Sequence, residues 1–204
     1  MAASRVPMER VSWATAGGTL ARLGLRARQY GLVTLHRAAN VDDPAVLGAV
    51  LPALAEISRD CPLVLPAHPR VAERLAGAGL PASVRIIPPA GYLDFVALQA
   101  SARLVLTDSG GVQEETTMLG VPCLTLRENT ERPITVTEGT NRLVGRDPAG
   151  ILSAAREVLA GPPPGSGKPP RPARWDGRAG ARIAAALVAG HATRGPKTLA
   201  GNPA

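Results

Sequence analysis

The sequence is short of aromatic residues: Phe, Trp and Tyr make up 2% of its 204 residues, and Phe95 is its one phenylalanine. Nucleic-acid faces combine basic residues with aromatics that stack on bases, so such a face has little to be built from here. Cysteine is also scarce. Cys61 and Cys123 lie in or beside apolar runs without metal-ligand spacing, which reads as two reduced, inert thiols of a cytoplasmic protein and as no metal site. No run of about 18 apolar residues occurs, so nothing is expected to span a membrane. The opening MAASRVPMER lacks the apolar segment of a secretory signal. Neither GxGxxG nor GxxxxGK[ST] is present, which removes the nicotinamide-dinucleotide fingerprint and the P-loop.

What remains is 45% hydrophobic, enough for one good-sized core built from Leu, Val, Ile and Ala. The net charge of +7 sits in the arms. Residues 1–30 carry +4, residues 161–204 carry +6, and residues 31–160 carry −3 from eleven Arg and fourteen acids. Basicity confined to the ends reads as solvated tails, so no nucleic-acid partner is expected.

Between the arms the pattern is regular. GLVTLH (31–36), PLVLPAH (62–68), SVRIIP (83–88), RLVLTD (103–108), VPCLTL (121–126) and NRLVG (141–145) read as strands. Helices are expected at 42–60, 70–79, 92–102, 110–120 and 148–161, the first opened by Asp42-Asp43-Pro44. Strands apolar throughout and alternating with short helices imply an α/β fold: a Rossmann-like parallel sheet with helices on both faces. The expected organisation is an N-terminal arm (1–29), that domain (30–160), a Pro/Gly-rich linker (161–174), a C-terminal helix (175–190) opened by Asp176, and a disordered tail (191–204).

Polar residues gather where those strands end, the place where ligands bind in such sheets. His36-Arg37 follows the first strand, His68-Pro69-Arg70 the second and Ser109-Gly110-Gly111 the fourth. A Ser-Gly-Gly turn into a helix presents backbone N–H groups and the positive end of the helix dipole to an anion. By itself it also fits an ordinary N-cap; Glu114 and Glu115 just beyond it suit a ribose, whose hydroxyls want a carboxylate acceptor. His36 alone fits a histidine satisfied near the core, but beside Arg37 it offers an imidazole and a forked cation suited to phosphate. Arg132, in the proline-bounded TERP loop (130–133), is close enough in such a sheet to reach the Ser-Gly-Gly turn, although a surface arginine is common.

These stretches, LVTLHRAANVDDP, HPR, GYLDFVALQASARLVLTDSGGVQEETTMLGVPCLTLRENTERPITVTEGTNRLVG and WDGRAGARI, closely resemble the non-hydrolysing UDP-N-acetylglucosamine 2-epimerases from about residue 29 to 187. The resemblance implies the C-terminal domain of a GT-B fold, with UDP-GlcNAc or UDP in the cleft between two halves. It implies elimination of UDP and its re-addition to give UDP-ManNAc, without a cofactor. Carried over, it makes His36 catalytic, Ser109, Gly110 and Gly111 a diphosphate cradle, Arg132 a phosphate contact, Glu115 the ribose ligand and Phe95 the uracil-side contact. It makes Arg37 and His68 contacts to a second, activating UDP-sugar. Many members have His-Arg-Arg-Glu-Asn where this chain has His-Arg-Ala-Ala-Asn, which weakens that last assignment. Many also have Glu-Arg-Pro-Glu where this chain has Glu-Arg-Pro-Ile.

The family's other half supplies the acids that move protons at C2. A separate N-terminal half is therefore an expected partner, and a homodimer is expected of the full-length family. Two further functions stay open: a UDP-sugar-binding module without turnover, and, more remotely, a GT-B glycosyltransferase.

Overall fold

The computed structural model describes residues 13–165 and 171–193. The apolar runs form strands β1 (Gly31–Thr34), β2 (Leu63–Pro66), β3 (Val84–Ile87), β4 (Leu104–Thr107), β5 (Cys123–Thr125) and β6 (Asn141–Leu143). The helices are α1 (Trp13–Arg22), α2 (Ala38–Val41), α3 (Pro44–Asp60), α4 (Pro69–Ala76), α5 (Tyr92–Ser101), α6 (Gly110–Leu119), α7 (Ile134–Thr137), α8 (Pro148–Ala160) and α9 (Ala179–Thr193). The chain divides into two compact units, Met1–Pro172 and Ala173–Ala204.

In the first unit all strand pairs are parallel, in the order β3-β2-β1-β4-β5-β6. The two-residue side-chain period of a strand sorts the core into two layers. Val33, Leu63, Leu65, Leu104 and Leu106 pack with Leu54 and Ile57 of α3, Val71 and Leu75 of α4 and Ile151 of α8. Their alternates Leu32, Val64 and Val105 pack with Leu20 of α1, Leu98 of α5 and Val112 of α6. A sheet covered on both faces has no solvent side, which is why its inner strands β1, β2, β4 and β5 are buried almost throughout. The edge strands β3 and β6, by contrast, expose Arg85 and Arg142.

Caps place the helices. Asp43 accepts from the Ala45 N–H and Asp147 from the Gly150 N–H, each just before a proline at the first helical position. Helix α6 stops at Gly120, whose φ of 67° suits glycine, and the Val121 N–H turns back to the Thr116 carbonyl. Gly139 has a different reason: an added Cβ would overlap the Thr135 carbonyl oxygen and the Thr117 hydroxyl. Gly139→Ala is expected to cost about 1–3 kcal/mol through overpacking, read as a lower urea midpoint with an unchanged slope.

Three helices are absent from the sequence-based reading. Residues 13–22, assigned there to an arm, form α1 and pack on α5; Thr19 and Arg22 both reach the Asp94 carboxylate, the arginine at 3.0 Å. The other two, α2 and α7, span four residues each.

The second unit holds α9. Asp176 accepts from the Arg178 N–H at 3.0 Å and pairs with Arg182, whose guanidinium holds the Asp176 carboxyl down to about 2. Ile183, Leu187 and Val188 are exposed along the helix. The middle of the expected linker and residues 194–204 of the expected tail lie outside the described residues.

Candidate functional site

The site begins where β1 and β4 end. Their last residues, Thr34 and Thr107, stand in register and join hydroxyl to hydroxyl at 2.6 Å. Sheet order reverses between these two strands, since β1 leads outward to β2 and β3 while β4 leads to β5 and β6. The chains leaving them part in opposite directions and open a crevice. His36 and Arg37 leave one strand; Asp108 and Ser109 leave the other.

Asp108 is completely buried, and four donors converge on its two oxygens. They are the His36 ring Nδ1 at 2.7 Å, the His36 N–H at 3.1 Å, the Arg37 N–H at 3.0 Å and Asn40 Nδ2 at 3.2 Å. Burial pushes the Asp108 carboxyl up, but the bonds from His36 and Arg37 together outweigh it and leave the carboxyl below its usual range. The reciprocal bond raises His36, against burial and the Arg37 charge. The pair is therefore ionised on both sides between the lowered carboxyl and the raised imidazole. His36 contributes stability fully below its ordinary value of 6.5, and that contribution fades as pH rises through its raised folded value. Asp108 contributes fully above its ordinary 3.8 and loses that contribution as pH falls through its lowered one.

Ser109 is the N-cap of α6, with no side-chain bond to the helix. Its hydroxyl therefore leaves the first-turn N–H groups of Gly110, Gly111 and Val112 uncapped, as an anion site requires. The Glu-Arg-Pro loop lies against this turn: a Cβ on Gly110 would stand 3.8 Å from Glu131 Oε2 and 3.9 Å from Arg132 Cγ. A buried polar network holds that loop. Gln113 Oε1 accepts from the Thr130 hydroxyl at 2.5 Å and from Asn141 Nδ2 at 3.2 Å, and the Thr135 hydroxyl donates to the Arg132 carbonyl at 2.7 Å.

The cations here have carboxylate partners. Arg127 forks onto Glu131 at 2.8 and 2.9 Å and holds its carboxyl at about 2. Arg37 donates through Nε to the Asp108 carbonyl at 3.1 Å and meets Glu131 at 3.4 Å. Arg132 pairs with Glu114 at 3.1 Å. Glu115 accepts from Gln99 at 2.6 Å, on the α5 side. Consecutive helical residues point about 100° apart. Glu114 and Glu115 thus serve different neighbours rather than one pocket.

A cavity of about 290 Å³ opens over the switch point. His36, His68, Phe95 and Ser109 line it together with Pro66, Val71, Pro89 and Ala90, so the ends of β1, β2 and β4 meet at one space. Arg37, Gly110, Gly111, Glu115 and Arg132 lie outside that lining. Its walls carry two imidazoles and no carboxylate. Sequence reasoning missed Asp108, Asn40, Gln113, Arg127 and Glu131. For Asp108 one signal was available: an acid directly after a strand whose Leu104-Val105-Leu106 run is apolar.

Fold and site define a doubly wound α/β domain whose crevice at the strand ends combines helix N–H groups, imidazoles and an apolar wall. The profile of the family described as UDP-N-acetylglucosamine 2-epimerase matches residues 6–188, and the chain belongs to that family. The UDP-N-acetylglucosamine 2-epimerase of Methanococcus maripaludis is 42% identical over 139 residues, which cover 64% of this chain and 38% of that protein. The UDP-2,3-diacetamido-2,3-dideoxy-D-glucuronate 2-epimerase of Pseudomonas aeruginosa is 45% identical over 139 residues, covering 67% and 39%. Among solved structures, the Methanocaldococcus jannaschii UDP-GlcNAc 2-epimerase in complex with UDP-GlcNAc and UDP superposes with a TM-score of 0.73 at 36% identity. That match covers 89% of this chain and 52% of the other. The chain thus spans about two fifths of the length of the curated relatives it matches.

Proposed function

We propose that the chain is the C-terminal, UDP-binding half of a UDP-N-acetylglucosamine 2-epimerase. The observation that carries this reading is the meeting of His36, His68, Phe95 and Ser109 around one cavity at the switch point, in a member of this family. In the proposed reaction a base removes the C2 proton, the C1=C2 double bond forms, and UDP leaves with the electrons of the C1–O bond. UDP then returns as a proton is delivered to the opposite face of C2. The Ser109–Gly111 turn and Arg132 take the diphosphate, Glu115 the ribose and Phe95 the uracil side. His36, charged with Asp108 behind it, stabilises the negative charge of departing UDP.

Arg37 and His68 are the assigned contacts of a second, activating UDP-sugar. Arg37 is already shared between the Asp108 carbonyl and Glu131, so that assignment has the weaker support. Residues 30–160 form the UDP-binding body in this reading, and the partners are a complementary N-terminal half and a second copy of the full-length protein. The location is cytoplasmic: Cys61 and Cys123 are buried free thiols, pushed up to about 11 by burial.

A second reading of the sugar is favoured by the 45% identity to the uronate epimerase of Pseudomonas aeruginosa. The parts assigned above recognise the nucleotide, and a UDP-linked uronate would present the same one. Calorimetry with UDP, UDP-GlcNAc and the diacetamido uronate separates the two readings, and folded chain that binds none of them at millimolar concentration overturns both. Arg132→Ala is expected to weaken UDP binding by about 1.5–3 kcal/mol, the worth of a charged hydrogen bond, or roughly tenfold to a hundredfold.

A further inference from the structure

We propose that Asp108 is the positioning residue of this site: its buried carboxylate decides which ring nitrogen of His36 faces the cleft and locks His36 and Arg37 into one arrangement. The inference rests on the reading that His36 acts in that cleft. Its geometry is independent of which UDP-sugar is bound.

An ionised carboxylate accepts hydrogen bonds and donates none. The 2.7 Å contact from Asp108 to His36 Nδ1 therefore requires the proton on Nδ1. This leaves Nε2 as the nitrogen available to the cavity that the ring lines. A neutral His36 then presents a lone pair there, and a charged one presents the N–H that the departing diphosphate needs.

The other contacts of Asp108 fix where that atom lies. The backbone N–H groups of His36 and Arg37 and the Asn40 amide all point at the same two oxygens. The Asp108 carbonyl takes Arg37 Nε. Four donors on two oxygens suit a carboxylate and no amide, because an Asn at 108 would turn an NH₂ towards at least one of them. The charged and titratable groups around the ring come from each packed element. Arg37 follows β1, His68 precedes α4 across the cavity, and Arg127 and Glu131 lie in the loop after β5.

The test is made on the 204-residue chain with ¹⁵N-labelled histidine, reading each ring by long-range ¹⁵N–¹H correlation. The sequence has three histidines, 36, 68 and 191, which His68→Gln and His191→Gln assign. The expected result is a neutral His36 protonated on Nδ1 in the unsubstituted chain. In Asp108→Asn the tautomer moves to Nε2–H and the titration midpoint falls. Asn40→Ala, which removes a different partner of Asp108, keeps the Nδ1–H form.

A folded Asp108→Asn chain with His36 unchanged overturns the proposal. Where that variant does not fold, a neutral His36 already protonated on Nε2 in the unsubstituted chain overturns it. A UDP titration of the same sample keeps the two ideas apart. Nδ1–H without any UDP response upholds the role of Asp108 and removes the UDP-binding reading.

Discussion

In heavy water, the 204-residue chain incubated with UDP-N-acetylglucosamine is expected to bind the nucleotide and leave C2 unexchanged. Exchange at C2 needs a base against the C2 proton and a donor on the opposite face. The cavity supplies two imidazoles, Ser109 and an apolar wall, and no carboxylate lines it. Asp108, the buried acid beside it, is committed to four donors, so it is an orienting group and an unsuitable base. Each missing acid–base group costs about 10²- to 10⁴-fold, and a substrate held from one side loses orientation as well. Two absent groups would put turnover about 10⁴-fold or more below that of a complete cleft. A complementary half supplied in trans is expected to restore part of the exchange. The decisive control is His36→Ala: exchange catalysed by this chain alone, and lost in that variant, would place the whole proton-transfer machinery within these 204 residues.

Much of this site could be read along the chain because a parallel sheet places its ligand groups at strand ends, and each strand end is a local feature. His36, His68 and Ser109 each follow an apolar run, and the fold brings them to one cavity. The network behind them could not be read that way. Asp108 owes its role to His36 and Asn40, 72 and 68 residues away in sequence, and nothing in TDSGG specifies either partner. Glu114 and Glu115 look equivalent as neighbours, yet one helical step sends the first to Arg132 and the second to Gln99. The short helices escaped for a related reason. Four residues, as in α2 and α7, make one turn, too short for a 3.6-residue period to show. In α1 the pair Gly17-Gly18 hides the helix, because glycine disfavours it by about 1 kcal/mol each; burial of Leu20 against Leu98 and the ties of Thr19 and Arg22 to Asp94 offset that cost.

Replacing Arg103 with Met is expected to destabilise the fold by about 2–4 kcal/mol while sparing the binding residues. Arg103 stands just before β4, with its backbone N–H on the Tyr30 carbonyl at 2.8 Å. Its buried guanidinium reaches the end of α8, donating to the carbonyls of Val158 at 3.0 Å, Leu159 at 2.8 Å and Pro162 at 2.7 Å, and to that of Gly161. The last four carbonyls of a helix have no partner within it. Arg103 serves two of these, Val158 and Leu159, together with the Gly161 and Pro162 carbonyls just beyond, and its charge meets the negative end of the helix dipole. Met keeps the apolar stem and removes every donor, so the loss isolates the cap from the packing of β4. Water reaching this end of α8 would recover part of the loss, which sets the lower figure. The change is a large share of a total stability of about 5–15 kcal/mol. At about 2–4 °C per kcal/mol for a chain of this size, the melting midpoint should fall by at least several degrees. Because β4 carries Asp108 at its far end, the surviving folded fraction should still show His36 protonated on Nδ1 and unaltered UDP affinity. A melting midpoint within one degree of the parent would mean that solvent satisfies the α8 carbonyls as well as Arg103 does.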